Sequence, residues 1–167
     1  MKRITCLLTI LIFACSVWAG MHTYTDASVL REGNFVKIRV SETGVHILTY
    51  EPLESWGLKP AQLRILGYGG GMLSENFTLH HWDDLPSVAF YMHKGADGVF
   101  NAGDYVLFYA QGPITWTSDK QGRWRHTQHP YSHHGDYFLS DNAGEQRLIN
   151  MSEAFNGDMA DVIDVDG

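Results

Sequence analysis

Three groups of side chains in this chain have the types and spacing to do chemistry. Asp97, Asn101 and Asp104 are oxygen donors around a tight glycine-containing loop, the kind of set a hard cation such as calcium takes. The stretch lacks the full spacing of a calcium loop and its terminal Glu. The alternative is two turns in which Asp97 and Asp104 accept from nearby backbone N–H groups. His126, His129, His133 and His134 fall within nine residues, and His80-His81 form a second pair. Facing imidazoles bind zinc or copper, which would make a metal-dependent enzyme. Pro130 and Gly135 give the first group no fixed helical face, so the pattern also reads as a His-rich exposed loop. Trp82, Trp116 and Trp124 are rings that stack on sugars or fill a core.

Other chemistries lack their parts. Gly67-Tyr68-Gly69-Gly70-Gly71-Met72 has Met where a dinucleotide fingerprint needs a third Gly, and neither a helix pattern nor Gly-Lys-Ser/Thr follows. It is expected to be an irregular loop where backbone passes close to backbone. Ser, His and Asp occur, but no Ser sits in a nucleophile elbow. Both cysteines, Cys6 and Cys15, lie in the first 19 residues. No catalytic or cofactor-binding residue is assigned. The sequons at Asn76 and Asn150 matter only in a glycosylating host.

Residues 1–19 read as a secretory signal peptide. Lys2 and Arg3 form the basic start, Ile4 to Val17 an apolar run too short to span a bilayer, and Val17-Trp18-Ala19 the cleavage site. The rival is a lipoprotein signal with Cys15 as acceptor. Cleavage would remove Lys2 and Arg3 and take the net charge from −7 to −9. The mature chain would carry no thiol, hence no disulfide or cysteine nucleophile, and it is expected to hold no transmembrane segment. Without basic clusters an acidic chain is unsuited to nucleic acid. An exported location follows: cell surface, outer membrane or periplasm.

The remaining elements are mostly strands. After a polar lead-in over 20–33, residues 34–40 alternate, with Phe35, Lys37 and Arg39 on one face and Val36, Ile38 and Val40 on the other. Ser41 to Gly44 is a turn, and Val45–Leu48 is expected to pair back as a hairpin. Thr49 caps a short helix that ends at Gly57, with Leu53 and Trp56 on one face. Short strands follow at 63–66, at 88–93 and at 105–110, the last expected to be buried on both faces. A hairpin carries Trp116 and Trp124 and turns at 119–122. Strands at 137–139 and 147–149 close the series. The fold class is all-β, an antiparallel β-sandwich or jelly-roll-like domain with one short helix. The domain spans 20–150. Residues 151–167 are an acidic tail or the start of a truncated next segment.

The run from Ala96 to Pro113, ADGVFNAGDYVLFYAQGP, resembles the N-terminal region of the PorU-type sortases of the type IX secretion system, gingipain-like cysteine peptidases of Bacteroidetes. Landmarks in the same order are Lys37-Ile38, Gly44-Val45, Leu48-Thr49-Tyr50, Gly67 to Leu73, Asp83-Asp84-Leu85, His129-Pro130-Tyr131-Ser132 and Tyr137-Phe138-Leu139. His129 stands where the family has Asn. The similarity covers about residues 28–149. It implies surface machinery that removes C-terminal signals from secreted cargo and joins the cargo to lipopolysaccharide. That work is done by a Cys/His pair in a later peptidase domain that this sequence lacks. The resemblance therefore implies a non-catalytic N-terminal domain whose partners are the parent's peptidase domain or outer-membrane secretion components. The alternative is an exported carbohydrate- or ligand-binding β-sandwich.

Overall fold

Apolar residues at alternate positions force strands to share a dry side, and the strands of this chain do so in two layers. The computed structural model describes residues 24–76, 78–79 and 81–150. Its strands are β1 (Phe35–Val40), β2 (Gly44–Thr49), β3 (Arg64–Leu66), β4 (Ser87–Val88), β5 (Phe90–His93), β6 (Tyr105–Ala110), β7 (Ile114–Ser118), β8 (Trp124–Gln128) and β9 (Gly135–Ser140), with one helix, α1 (Tyr50–Ser55). One sheet runs β1-β9-β3-β4, a second runs β2-β6-β5, and β7-β8 form a separate ribbon, with antiparallel pairing throughout. Val40, Ile65, Tyr137 and Leu139 from the first sheet meet Phe90, Met92, Val106 and Phe108 from the second in one core. The Phe108 and Tyr137 rings meet edge to face at 5.8 Å. This is the all-β sandwich architecture expected from the alternation.

Strand faces agree with the sequence pattern, but several partners do not. In β1, Val36, Ile38 and Val40 face the core while Lys37 and Arg39 face solvent. However, β1 and β2 do not form a hairpin. β1 pairs with β9 and β2 with β6, so the chain changes layers across Ser41–Thr43. The predicted strand at 88–93 likewise splits at Ala89: Val88 pairs with Ile65 in one sheet and Phe90 with Phe108 in the other. Layer changes of this kind are invisible to alternation, which orients side chains without naming neighbours. β6 is buried on one face only, with Val106, Phe108 and Ala110 inward and Tyr109 61% exposed. The 147–149 segment makes no full strand; it bonds to Phe90 in a single parallel bridge.

The helix forms where expected, between Thr49 and a left-handed Gly57 (φ 79°). The Thr49 side chain makes no capping bond. Leu53 is fully buried, whereas Trp56 lies past the last helical residue and is 45% exposed. The hairpin turning at 119–122 is present as β7-β8. Residues 1–19 and 151–167, with the signal and tail expectations placed on them, lie outside the described residues, as do His80 and Phe77.

Candidate functional site

The glycine loop after β3 is a backbone crossing. The Gly70 N–H donates to the Gln111 carbonyl at 2.9 Å. A Cβ on Gly70 would stand 2.8 Å from Gly112 and Gly135 backbone atoms, and one on Gly135 would stand 2.6 Å from the Gln111 carbonyl oxygen. Three chain segments thus touch where only glycine fits. The Gln111 N–H donates to the Tyr137 hydroxyl at 2.7 Å, and burial raises the pKa of that phenol. This is the close approach the sequence suggested.

The Asp97 loop is stitched to itself and to the helix. Asp97 Oδ1 accepts from the Val99 N–H at 3.0 Å and its Oδ2 from the Asn101 side-chain amide at 2.8 Å. The Val99 amide leads the causes that hold the Asp97 carboxyl below its ordinary value. Asp104, buried, accepts from the Asn101 N–H at 2.8 Å. Both carboxylates therefore accept from local N–H groups, as turn-forming Asp side chains do. The Gly103 N–H donates to Glu51 Oε1 at 2.8 Å, tying the loop to α1. Glu51 itself is held below its ordinary value, first by its own backbone N–H and then by that of Gly103. The sequence places Glu51 in the first turn of the helix, but its tie to Gly103 crosses 52 residues and has no local signal.

The histidines divide: His126 lies on the β7-β8 ribbon, while His129 and His134 line one cavity with Asp136. His126 lies against Trp116 (ring centroids 5.2 Å), His129 Nδ1 accepts from the Tyr131 and Ser132 amides, and His134 approaches Asp136 at 3.5 Å. Among the described residues no three His, Asp or Glu side chains come together as a metal would require. Asp136 also pairs with Lys37 at 2.7 Å across β1-β9. No cysteine lies among the described residues, so this fold holds no thiol nucleophile.

Two surfaces remain. The first is the outer side of the β2-β6-β5 sheet. Its register places Val45, Ile47, Leu107, Tyr109 and Tyr91 in one field. Val45 and Ile47 are 69% and 59% exposed. The other outward residues, Thr49, Tyr105 and His93, add no Asp, Glu, Lys or Arg, and His93 stacks on Tyr105 at 4.6 Å. Solvated sheet faces normally alternate to polar residues, and this uncharged apolar field departs from that pattern. The second surface is the β7-β8 ribbon. Trp116 and Trp124 are exposed there, as is Trp82 elsewhere, so none of these rings belongs to the core.

No family model matches the chain, and no curated protein matches it either. Among solved structures the chain is similar to latent, dimeric PorU from Porphyromonas gingivalis, with 39% identity and a TM-score of 0.61 over 73% of this chain. The aligned part is 11% of that much longer chain. No helix among the described residues is long and apolar enough to cross a membrane.

Proposed function

We propose that this PorU-related domain is a non-catalytic scaffold of an exported, cell-surface sortase-like protein of type IX secretion, seated by its outer sheet face against a peptidase domain or an outer-membrane secretion partner. The observation that carries the reading is the uncharged field of Val45, Ile47, Leu107, Tyr109 and Tyr91, which a free-standing domain has no reason to keep. Identity of 39% to one part of a longer PorU chain supports the same assignment. The chemistry of that longer protein would then lie outside this fold, consistent with a described region that has no cysteine.

The test has two arms. The purified chain, incubated with fluorogenic peptides and a reducing thiol, is expected to give no turnover; activity blocked by thiol-protease inhibitors would contradict the reading. Mixed with Porphyromonas gingivalis PorU lacking its matching segment, the chain is expected to bind. Ile47→Lys in the centre of the field should weaken that binding at least about tenfold, the equivalent of about 1.4 kcal/mol. Equal binding by the variant would remove the face from the proposal.

A further inference from the structure

The β7-β8 ribbon is an unusual place for two indoles. Its register sets Ile114, Trp116, Trp124 and His126 on one face and three threonines with Arg125 on the other. Trp116 and Trp124 are 59% and 67% exposed. A two-stranded ribbon gains little stability from rings that nothing covers.

Beside Trp116 the ribbon and the Ser41–Thr43 layer-crossing turn enclose a groove of about 350 Å³, lined by Ser41, Glu42, Thr43, Ile114, Trp116 and His126. The groove is built rather than incidental. The Thr43 hydroxyl accepts from the Gly112 N–H at 3.0 Å and donates to the Ile114 carbonyl at 3.3 Å, pinning the turn to the start of β7. A Cβ on Gly112 would stand 2.8 Å from Glu42 backbone, so the two walls close on a glycine. Within the described residues the Glu42 carboxylate and the Ser41 hydroxyl make no hydrogen bond or ion pair, and the His126 ring lies against Trp116 with centroids 5.2 Å apart.

We propose that this groove binds a neutral oligosaccharide. An exposed indole offers an apolar plate to the C–H face of a pyranose. Glu42 accepts from ring hydroxyls, while Ser41 and His126 can both donate and accept at its rim. Trp124, diagonal to Trp116 on the same ribbon face, supplies a second plate for an adjoining sugar. A purely apolar peptide would leave the polar rim of Ser41, Glu42 and His126 without a hydrogen-bonding partner of its own, whereas a sugar offers hydroxyls to all three. An anionic glycan would meet that carboxylate and a chain of net charge −7, which argues for a neutral one. The groove shares no residue with the outer sheet field, so the inference does not rest on the scaffold assignment.

The full chain is titrated with maltotriose, cellotriose, mannotriose and N,N′-diacetylchitobiose, followed by indole fluorescence and calorimetry. At least one is expected to bind saturably with a fluorescence shift. Trp116→Ala and Glu42→Ala should each weaken it about tenfold or more, with far-UV dichroism and the melting temperature unchanged. Trp124→Ala should have a smaller effect, and Glu42→Gln should keep part of the affinity because its amide still hydrogen-bonds. Absence of saturable binding by all four sugars would overturn the proposal. So would equal binding by Trp116→Ala, tighter binding of tri-galacturonate, or self-association of the chain that Trp116→Ala abolishes.

Discussion

The sandwich and the ribbon are built from the same residue types and held by different means. In the sandwich, one side of each sheet packs its aromatic and aliphatic side chains into a shared core, and strands find partners far away in sequence: Phe35 pairs with Ser140 and Gly44 with Ala110. In the ribbon, aromatic side chains face outward and β7 pairs with the next strand through a turn that the sequence itself writes. There Asp119 Oδ1 accepts from the Gln121 and Arg123 amides, its Oδ2 pairs with Arg123 Nε at 2.8 Å, and Gly122 takes φ 76°. Long-range burial holds the first; local turn chemistry holds the second. Identical substitutions should therefore have opposite weight in the two regions.

The largest effect is expected for Phe108→Ala. The ring is 2% exposed between the layers, and its loss should destabilise the chain by about 3–5 kcal/mol in urea unfolding. A cost below 1 kcal/mol, on the scale of a surface change, would deny that the two sheets share a core. Next comes Gly135→Ala, whose added carbon would meet the Gln111 carbonyl at 2.6 Å. Overpacking of this kind costs about 1–3 kcal/mol; the same change at Gly44, where nothing lies within 4 Å, serves as the control.

A smaller, pH-dependent effect separates long-range from local carboxylates. Glu51 is held below its ordinary value of 4.5, so its contribution is present above that pH and is lost as pH falls through the lowered folded value. The stability difference between wild type and Glu51→Gln should therefore be full at neutral pH and shrink as acid is added below 4.5. A gap that stays constant would detach Glu51 from the Gly103 amide. Asp119, held low first by the Arg123 amide, should act only inside the ribbon. Asp119→Ala is expected to speed amide exchange over 114–128 and leave the sandwich amides protected. The smallest effect belongs to Trp124→Ala, within about 0.5 kcal/mol on global stability despite the size of the ring. A loss comparable to that of Phe108→Ala would show that the ribbon packs on the sandwich after all.

Much of this architecture is readable in the chain because local physics writes it. Alternation in 34–40 sorts inward from outward residues, Gly57 ends a helix, the Asp119–Gly122 turn makes a hairpin, and a glycine run without helix or Lys signals close backbone contact. The Asx-turn reading of Asp97 and Asp104 was likewise available from residue type and spacing. Tertiary structure alone decided which strands are neighbours. The 41–44 turn looks like a hairpin because its flanking strands are adjacent in sequence, yet β1 pairs with the distant β9 in one layer and β2 with the distant β6 in the other. For the same reason β6 keeps one face exposed, His126 goes to the Trp116 ribbon while His129 and His134 line a separate cavity, and Glu42 comes to line a groove with Trp116. Side-chain period is a property of the segment, while pairing is a property of the whole chain, set by which arrangement closes the core with every backbone bond satisfied.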